Sequence, residues 1–310
     1  MLATGAEPRR PPLSGIDAPD VLTLRDSADA ARLHAALEPG ARLLVLGAGL
    51  IGLEVAAIAS ALGVHVTVVD VADRPMARVL PPRIATIIES AHREAGVELV
   101  LGARPTEIAH GPTGPELVLD DGSRLAGDVL LVATGVAPRV ELAASAGLAV
   151  DDGILVDELL RTSHPDVLAV GDASRVAGPD GRHGSRTEAW TPALAMGLQA
   201  GRNILGEGTP YREVPWAWSD QFDLQIQITG DPLAGDRSVT RGDVDGPEGL
   251  TVIALRDGRV VGAAGVGRGN GIGRAIRPLG NLIGRGVPVT AAELSDPSSD
   301  LRSLAQRSVE

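Results

Sequence analysis

The chain has 310 residues, 44% of them hydrophobic and 22% charged, a globular composition with room for two or three domains. It has no Cys and no Lys, all 28 basic residues being Arg, which excludes thiolate and disulfide chemistry, Schiff-base catalysis and a P-loop lysine. A net charge of −12 argues against nucleic acid as a partner, and no apolar run reaches the ~18 residues needed to span a bilayer.

Residues 1–25 are Pro-rich and read as a loop; MLATGAEPRRPP lacks the apolar stretch of a secretory signal, so a cytoplasmic protein is expected. Asp26 and Ser27 can cap a helix, Ala28 to Leu37, that ends at Pro39-Gly40. An apolar run, Leu43 to Leu46, then has the length of a buried strand. It leads into Gly47, Gly49 and Gly52 in the pattern G-x-G-x-x-G, followed by an Ala-rich helix that Gly63 stops. A second strand, His65 to Val69, ends on Asp70. Each part has a physical job in dinucleotide binding. Gly47 allows the tight turn, Gly49 lets backbone approach a pyrophosphate, and Gly52 lets helix and strand pack closely. The helix N-terminus offers free N–H groups to phosphate, and Asp70 can accept hydrogen bonds from an adenosine ribose. A carboxylate there favours NAD over NADP, although Arg74, four positions on, is placed to bind a 2′-phosphate instead.

Pro82 opens a helix that stops at Gly96, and Val97 to Leu101 reads as a strand. Thr106–His110 and Glu116–Leu119 read as a hairpin, and Asp121-Gly122 as another turn. Asp128 to Thr134 is a buried strand running into Gly135; the alternation of strands and helices implies a parallel sheet. Residues 132–139, VATGVAPR, echo residues 2–9, LATGAEPR. The second copy follows a complete βαβ unit, whereas the first is preceded only by Met1. Ile154–Asp157 and Val167–Val170 are strand candidates, the latter ending on Gly171-Asp172. A helix is expected from Glu188 to Leu205 and a linker over 206–210. Beyond it the pattern changes to short strands: Asp223–Thr229, Arg237–Arg241, Leu250–Leu255 and Arg259–Val266, with an Asp257-Gly258 turn. Ile272–Ile283 has a helical pattern that Pro278 and Gly280 weaken. The six His show no metal-ligand spacing. Residues 267–286 carry Arg268, Arg274, Arg277 and Arg285 and no acid: either a basic patch that steers an acidic partner or four solvated arginines.

Taken together, LATGAEPR, GAGLIGLE, VVD with ADRPMARVLPP, VATGVAPR, VDELLRTSHPDVLAVGD and YREVPWAWSDQFDLQIQITG resemble the flavin-dependent pyridine nucleotide-disulfide oxidoreductases. The resemblance runs along essentially the whole chain. It is to the ferredoxin reductase branch that serves Rieske oxygenases and bacterial cytochromes P450. It implies an α/β fold: a Rossmann-like NAD domain over residues 31–140, inserted in an incomplete FAD domain (1–30 and 141–210), with an α+β interface domain over 211–310. The implied activity is hydride transfer from NADH to FAD, then single electrons to a ferredoxin-type iron–sulfur protein. The absence of Cys removes the branch whose electrons leave through a Cys pair.

Carried onto matching residues, the resemblance implies NAD pyrophosphate at Gly47, Gly49 and Gly52, the ribose at Asp70, and Glu54 orienting the nicotinamide. Asp172, after Gly171, would meet the ribityl chain of FAD; Thr4, Gly5 and Arg9, with Gly135 in the second copy, would line the flavin side. Trp190 and Trp218 would sit near the isoalloxazine or at the redox-partner face. Two departures stand out. The Gly-rich βαβ unit that would hold the ADP half of FAD is not found ahead of LATGAEPR, and Pro192 and Met196 stand where the family more often has polar groups. The readings that compete with a working reductase are an NAD-binding remnant or subunit completed by a separate FAD half, and an NADH-dependent reductase of a small acceptor such as a quinone.

Overall fold

The computed structural model of the chain describes residues 1–178, 181–184, 186–269 and 271–308. Two short strands, β1 (Ala6–Pro8) and β2 (Val21–Leu22), precede α1 (Ser27–Ala36). Asp26 caps α1, its carboxylate accepting from the N–H groups of Ala28 and Asp29 at 2.9 Å each. The glycine-loop unit follows as β3 (Arg42–Leu46), α2 (Leu50–Ala61) and β4 (His65–Asp70). Then come α3 (Pro82–Glu94), which starts on a proline whose missing N–H costs nothing there, and β5 (Glu98–Leu101). The expected hairpin is β6 (Pro105–Gly111) with β7 (Gly114–Leu119), extended by β8 (Arg124–Ala126); β9 (Val129–Val132) completes the unit.

Strands β2-β9-β3-β4-β5, in that order, form a parallel sheet. All four residues of β9 are buried because both faces of the sheet are covered. On one face Leu43, Val45 and Val68 pack with Leu53 of α2 and Ile84 and Ile88 of α3. On the other, Leu44, Leu46 and Leu130 pack with Ile108, Leu117 and Leu119 of the β6-β7-β8 sheet.

The two echoing segments lie against each other: β10 (Val136–Pro138) pairs antiparallel with β1, Ala6 opposite Pro138 and Pro8 opposite Val136. Next come α4 (Glu141–Ser145), β11 (Ile154–Val156), β12 (Ser174–Val176), which pairs parallel with β11, and α5 (Trp190–Ile204). Val167–Val170, expected as a strand, makes no ladder. Leu168 and Ala169 are bridged singly to Arg161 and Leu2, and the segment is held by burial of Leu168, Ala169 and Val170 against Ile154 and Met196.

The last unit is an antiparallel sheet of β13 (Trp216–Gln221), β14 (Leu224–Gly230), β15 (Arg237–Gly242), β16 (Leu250–Arg256) and β17 (Arg259–Arg268), ordered β13-β14-β17-β16-β15. Its helices are α6 (Gly273–Arg285), α7 (Ala291–Ser295) and α8 (Leu301–Ala305). Leu224, Ile226, Ile228, Val252 and Val266 on one face join the core of α2 and α3, which docks this sheet on the glycine-loop unit. The opposite face packs under α6. Pro278 lies inside α6 without ending it; Ile276, Pro278, Leu279 and Leu282 are buried, and that packing outweighs local propensity. Among the described residues no helix is long and apolar enough to cross a membrane.

Candidate functional site

The glycines between β3 and α2 do different things. Gly47 has φ +114°, and a Cβ there would stand 2.5 Å from the Ala133 carbonyl oxygen. A Cβ on Gly52 would stand 2.1 Å from the Gly47 carbonyl oxygen. A Cβ on Gly49 would meet nothing closer than 4.0 Å, so this is the open side of the loop. No side chain caps α2 and its first turn has no acid, which leaves the first-turn N–H groups and the positive end of the helix dipole facing that opening. Asp70 braces the loop: Oδ2 accepts from Ala48 N–H at 2.6 Å and Oδ1 from Ala72 N–H at 2.8 Å. Each oxygen retains acceptor capacity for ribose hydroxyls. Arg74 pairs with Asp73 at 3.2 Å, and its buried Nε has no partner. Gly135, φ +104°, lies across from the Arg78 guanidinium, 3.3 Å from where a Cβ would be. Arg78 was not a candidate from sequence.

Glu54 lies on α2, one turn beyond the loop, half-buried. Its Oε1 accepts from Ser219 Oγ of β13 at 2.6 Å. Burial pushes the Glu54 carboxyl above its ordinary range and the charge of Asp220 adds to this, while the Ser219 hydroxyl and the Asp220 N–H oppose it. Ser219 Oγ accepts from Gln221 Nε2 at 3.1 Å, and Gln221 Oε1 is 3.0 Å from His92 Nε2 on α3. Burial holds His92 below the ordinary histidine range. Neither Ser219 nor Gln221 stood out in the sequence, because β13 carries no simple apolar alternation, and His92 did not because its partner Gln221 is 129 positions away.

On the flavin side implied by the resemblance, Thr4 and Arg9 brace the second echo: Thr4 Oγ1 donates to the Arg139 carbonyl at 2.6 Å and Arg9 to that of Val136 at 3.5 Å. Asp172 receives Arg25 at 2.9 Å, and Gly5 turns beneath the same guanidinium with φ +69°. Arg186, buried, donates to the Asp172 carbonyl at 3.0 Å. Gly171 has φ +70°, and its N–H reaches Met196 Sδ at 3.3 Å. Pro192 and Met196 are therefore core residues, the sulfur serving as a backbone acceptor. Trp190 is 69% exposed at the start of α5. Trp218 stacks on Trp216 at 5.0 Å; strand alternation turns it away from Ser219 and so from Glu54.

The open, uncapped α2 N-terminus and the Asp70 carboxylate fit the diphosphate and adenosine ribose of a nicotinamide dinucleotide. The Gly5–Arg25–Asp172 cluster fits the ribityl end of FAD, since Asp172 can accept from hydroxyls. Among the described residues this is the one G-x-G-x-x-G loop.

The four arginines of 267–286 differ. Arg268 is paired with Asp223 and with Asp245, so it is not a free cation, a correction that local sequence could not supply. Arg285 donates to the Ala305 and Arg307 carbonyls and anchors the end of the chain. Arg274 and Arg277, with Arg285 and Arg302, line a groove of about 610 Å³ between α6 and α8 whose lining includes no carboxylate.

Residues 1–197 match the family model described as pyridine nucleotide-disulphide oxidoreductase, and residues 216–305 match that described as reductase C-terminal. The ferredoxin–NAD(+) reductase component of the anthranilate 1,2-dioxygenase system of Burkholderia cepacia is 41% identical over 310 residues, covering 98% of this chain and 74% of that protein. A crystal structure of a ferredoxin reductase from Rhodopseudomonas palustris matches with a TM-score of 0.88 at 36% identity, over 98% of this chain and 74% of that one. Putidaredoxin reductase, in its covalent complex with putidaredoxin, matches with a TM-score of 0.88 at 32% identity, over 98% and 73%.

Proposed function

The chain belongs to the pyridine nucleotide-disulphide oxidoreductase family, and we propose from its site that it is a FAD-dependent NADH:ferredoxin reductase working in the cytoplasm. The observation that carries this reading is the continuity of α2. Its uncapped N-terminus faces the opening at Gly49, and one turn later it presents Glu54. A dinucleotide with its diphosphate at the open Gly49 side of the loop would have its adenosine ribose held by Asp70 and its nicotinamide end by Glu54.

When bound, NADH supplies a hydride that FAD accepts and passes on as single electrons. The chain's own residues do the positioning. The α2 N–H groups neutralise the diphosphate, Asp70 fixes the ribose, and Glu54 offers its carboxyl to the carboxamide end. Arg25 and Asp172 fix the ribityl end of the flavin. Holding two rings in contact replaces a bimolecular encounter by a preset geometry, which is the main catalytic contribution available to a site with no nucleophile or metal.

The acceptor in this reading is an acidic iron–sulfur protein that docks on Arg274, Arg277 and Arg302. The support is charge complementarity against a chain of net charge −12. The test is NADH-driven reduction of a ferredoxin by the FAD-loaded chain. The rate should fall steeply with added salt and at least tenfold on reversing both charges, Arg274→Glu with Arg277→Glu. Rates indifferent to both sink the docking surface, and reduction of a quinone with none of the ferredoxin replaces the acceptor.

A further inference from the structure

Four side chains from two domains make one continuous line of hydrogen bonds: His92 on α3, Gln221 and Ser219 on β13, and Glu54 on α2. Its spacings are 3.0, 3.1 and 2.6 Å, and His92, Gln221 and Ser219 are all buried. As placed, every donor points the same way. His92 Nε2–H donates to Gln221 Oε1, Gln221 Nε2–H to Ser219 Oγ, and the Ser219 hydroxyl to Glu54 Oε1. That direction suits an ionised Glu54, which only accepts. It also fixes His92 as the Nε2–H tautomer, and its buried Nδ1 has no partner.

The same heavy atoms support the opposite direction. A protonated Glu54 donates to Ser219 Oγ, whose hydroxyl then turns to Gln221. A half-turn of the Gln221 amide brings Oε1 to Ser219 and Nε2–H to His92 Nε2, which must now be the bare acceptor. One proton enters from solvent at Glu54; the ring loses a proton at Nε2 and gains one at Nδ1 by exchange, so its charge is unchanged. This second state leaves a buried Nδ1–H with no acceptor, so the line favours the first.

We propose that Ser219 and Gln221 are positioning residues for Glu54, and that the line is a polarity relay in which a proton taken up by Glu54 is registered as a tautomer change at His92. The domain that carries β13 thereby completes the nicotinamide site as well as covering it. Asp220 is the charged neighbour acting on Glu54, and its repulsion opposes the relay's preference for the ionised form. Around His92 stand the Phe222 ring, in edge contact at 4.9 Å, and Gln221, itself 3.8 Å from Met76 Sδ; none of the three is titratable. The link to nicotinamide rests on the proposed function; the relay does not.

The test is the side-chain 15N spectrum of His92 in the full chain, assigned by its loss in His92→Gln, followed as pH is lowered. The expected result is a neutral Nε2–H ring near neutral pH that crosses to Nδ1–H with the midpoint of Glu54. Ser219→Ala cuts the line between Glu54 and Gln221, so its His92 should keep Nε2–H across the Glu54 titration; Ser219→Thr, which keeps the hydroxyl, should restore the crossing. NADH affinity, read by Trp fluorescence over the same pH range, should track the same midpoint. A parent His92 that keeps Nε2–H throughout, or a His92 that still crosses in Ser219→Ala, overturns the relay. If His92 switches as expected while Glu54→Gln leaves NADH affinity unchanged, the relay holds and the placement of nicotinamide at Glu54 fails.

Discussion

Adding one methyl group at Gly49 and at Gly52 should separate binding from folding. At Gly52 the new Cβ stands 2.1 Å from the Gly47 carbonyl oxygen and 3.2 Å from Val45 Cγ1. Backbone must move, because the obstacle is a carbonyl and not a flexible side-chain end. Overpacking of this kind costs about 1–3 kcal/mol, and at roughly 2–4 °C per kcal/mol it should be plain in a thermal melt. At Gly49 the nearest atom is 4.0 Å away and φ is −84°, which alanine adopts freely. Gly49→Ala should therefore melt within a degree or two of the parent, yet place its methyl where the diphosphate approaches. NADH binding, titrated by fluorescence, should weaken at least tenfold, or about 1.4 kcal/mol, in Gly49→Ala despite the intact fold. Wild-type NADH affinity in Gly49→Ala, or an unchanged melt in Gly52→Ala, would refute the division of labour read from the loop.

Other outcomes follow from burial and charge. Unfolded His92 titrates at the ordinary 6.5 and folded His92 below it, so under pH 6.5 the unfolded chain binds the extra proton. Stability should decline as pH falls from 6.5, and His92→Gln should remove that part of the slope in urea titrations at several pH values. Thr290 and Glu293 form a capping box on α7, and Arg307 beside Glu293 holds its carboxyl down at about 2. The stabilisation is present above 4.5 and is lost as pH falls from 4.5 toward 2; Thr290→Ala should cost about 1 kcal/mol by denaturant midpoint. Buried Arg241 donates to the Asp296, Pro297 and Ser299 carbonyls, so Arg241→Met should cost about 2–4 kcal/mol and speed proteolysis after residue 294. Arg25→Met should weaken FAD retention several-fold while leaving NADH affinity alone, measured by absorbance after gel filtration.

The glycine-loop unit was legible because its information is local: three glycines at fixed spacing, an apolar strand on either side, an acid at the end of the second. The helix capped by Asp26 and the Asp257-Gly258 turn were legible for the same reason. What was missed is non-local. β13 reads WAWSDQ, and Ser219 and Gln221 are buried only because Glu54 and His92, far away in sequence, receive them. Arg25 and Asp172 are 147 positions apart and only the fold joins them. Arg268 looked like part of a free basic patch until Asp223 and Asp245 were brought against it. Val167–Val170 has strand composition, yet an apolar run becomes a ladder only where a neighbouring strand pairs along it. The echo of LATGAEPR and VATGVAPR was visible in sequence; that the copies pair as β1 and β10 was not.

The central claim is that this chain brings NADH and a flavin together. The most direct measurement is the visible spectrum of the chain after incubation with FAD, removal of the excess, and anaerobic addition of NADH. The account predicts a retained flavin band that bleaches on adding NADH, and a Gly49→Ala variant that retains the band but needs at least tenfold more NADH to bleach it. A chain that binds NADH yet keeps no flavin would contradict it and leave an NAD-binding module.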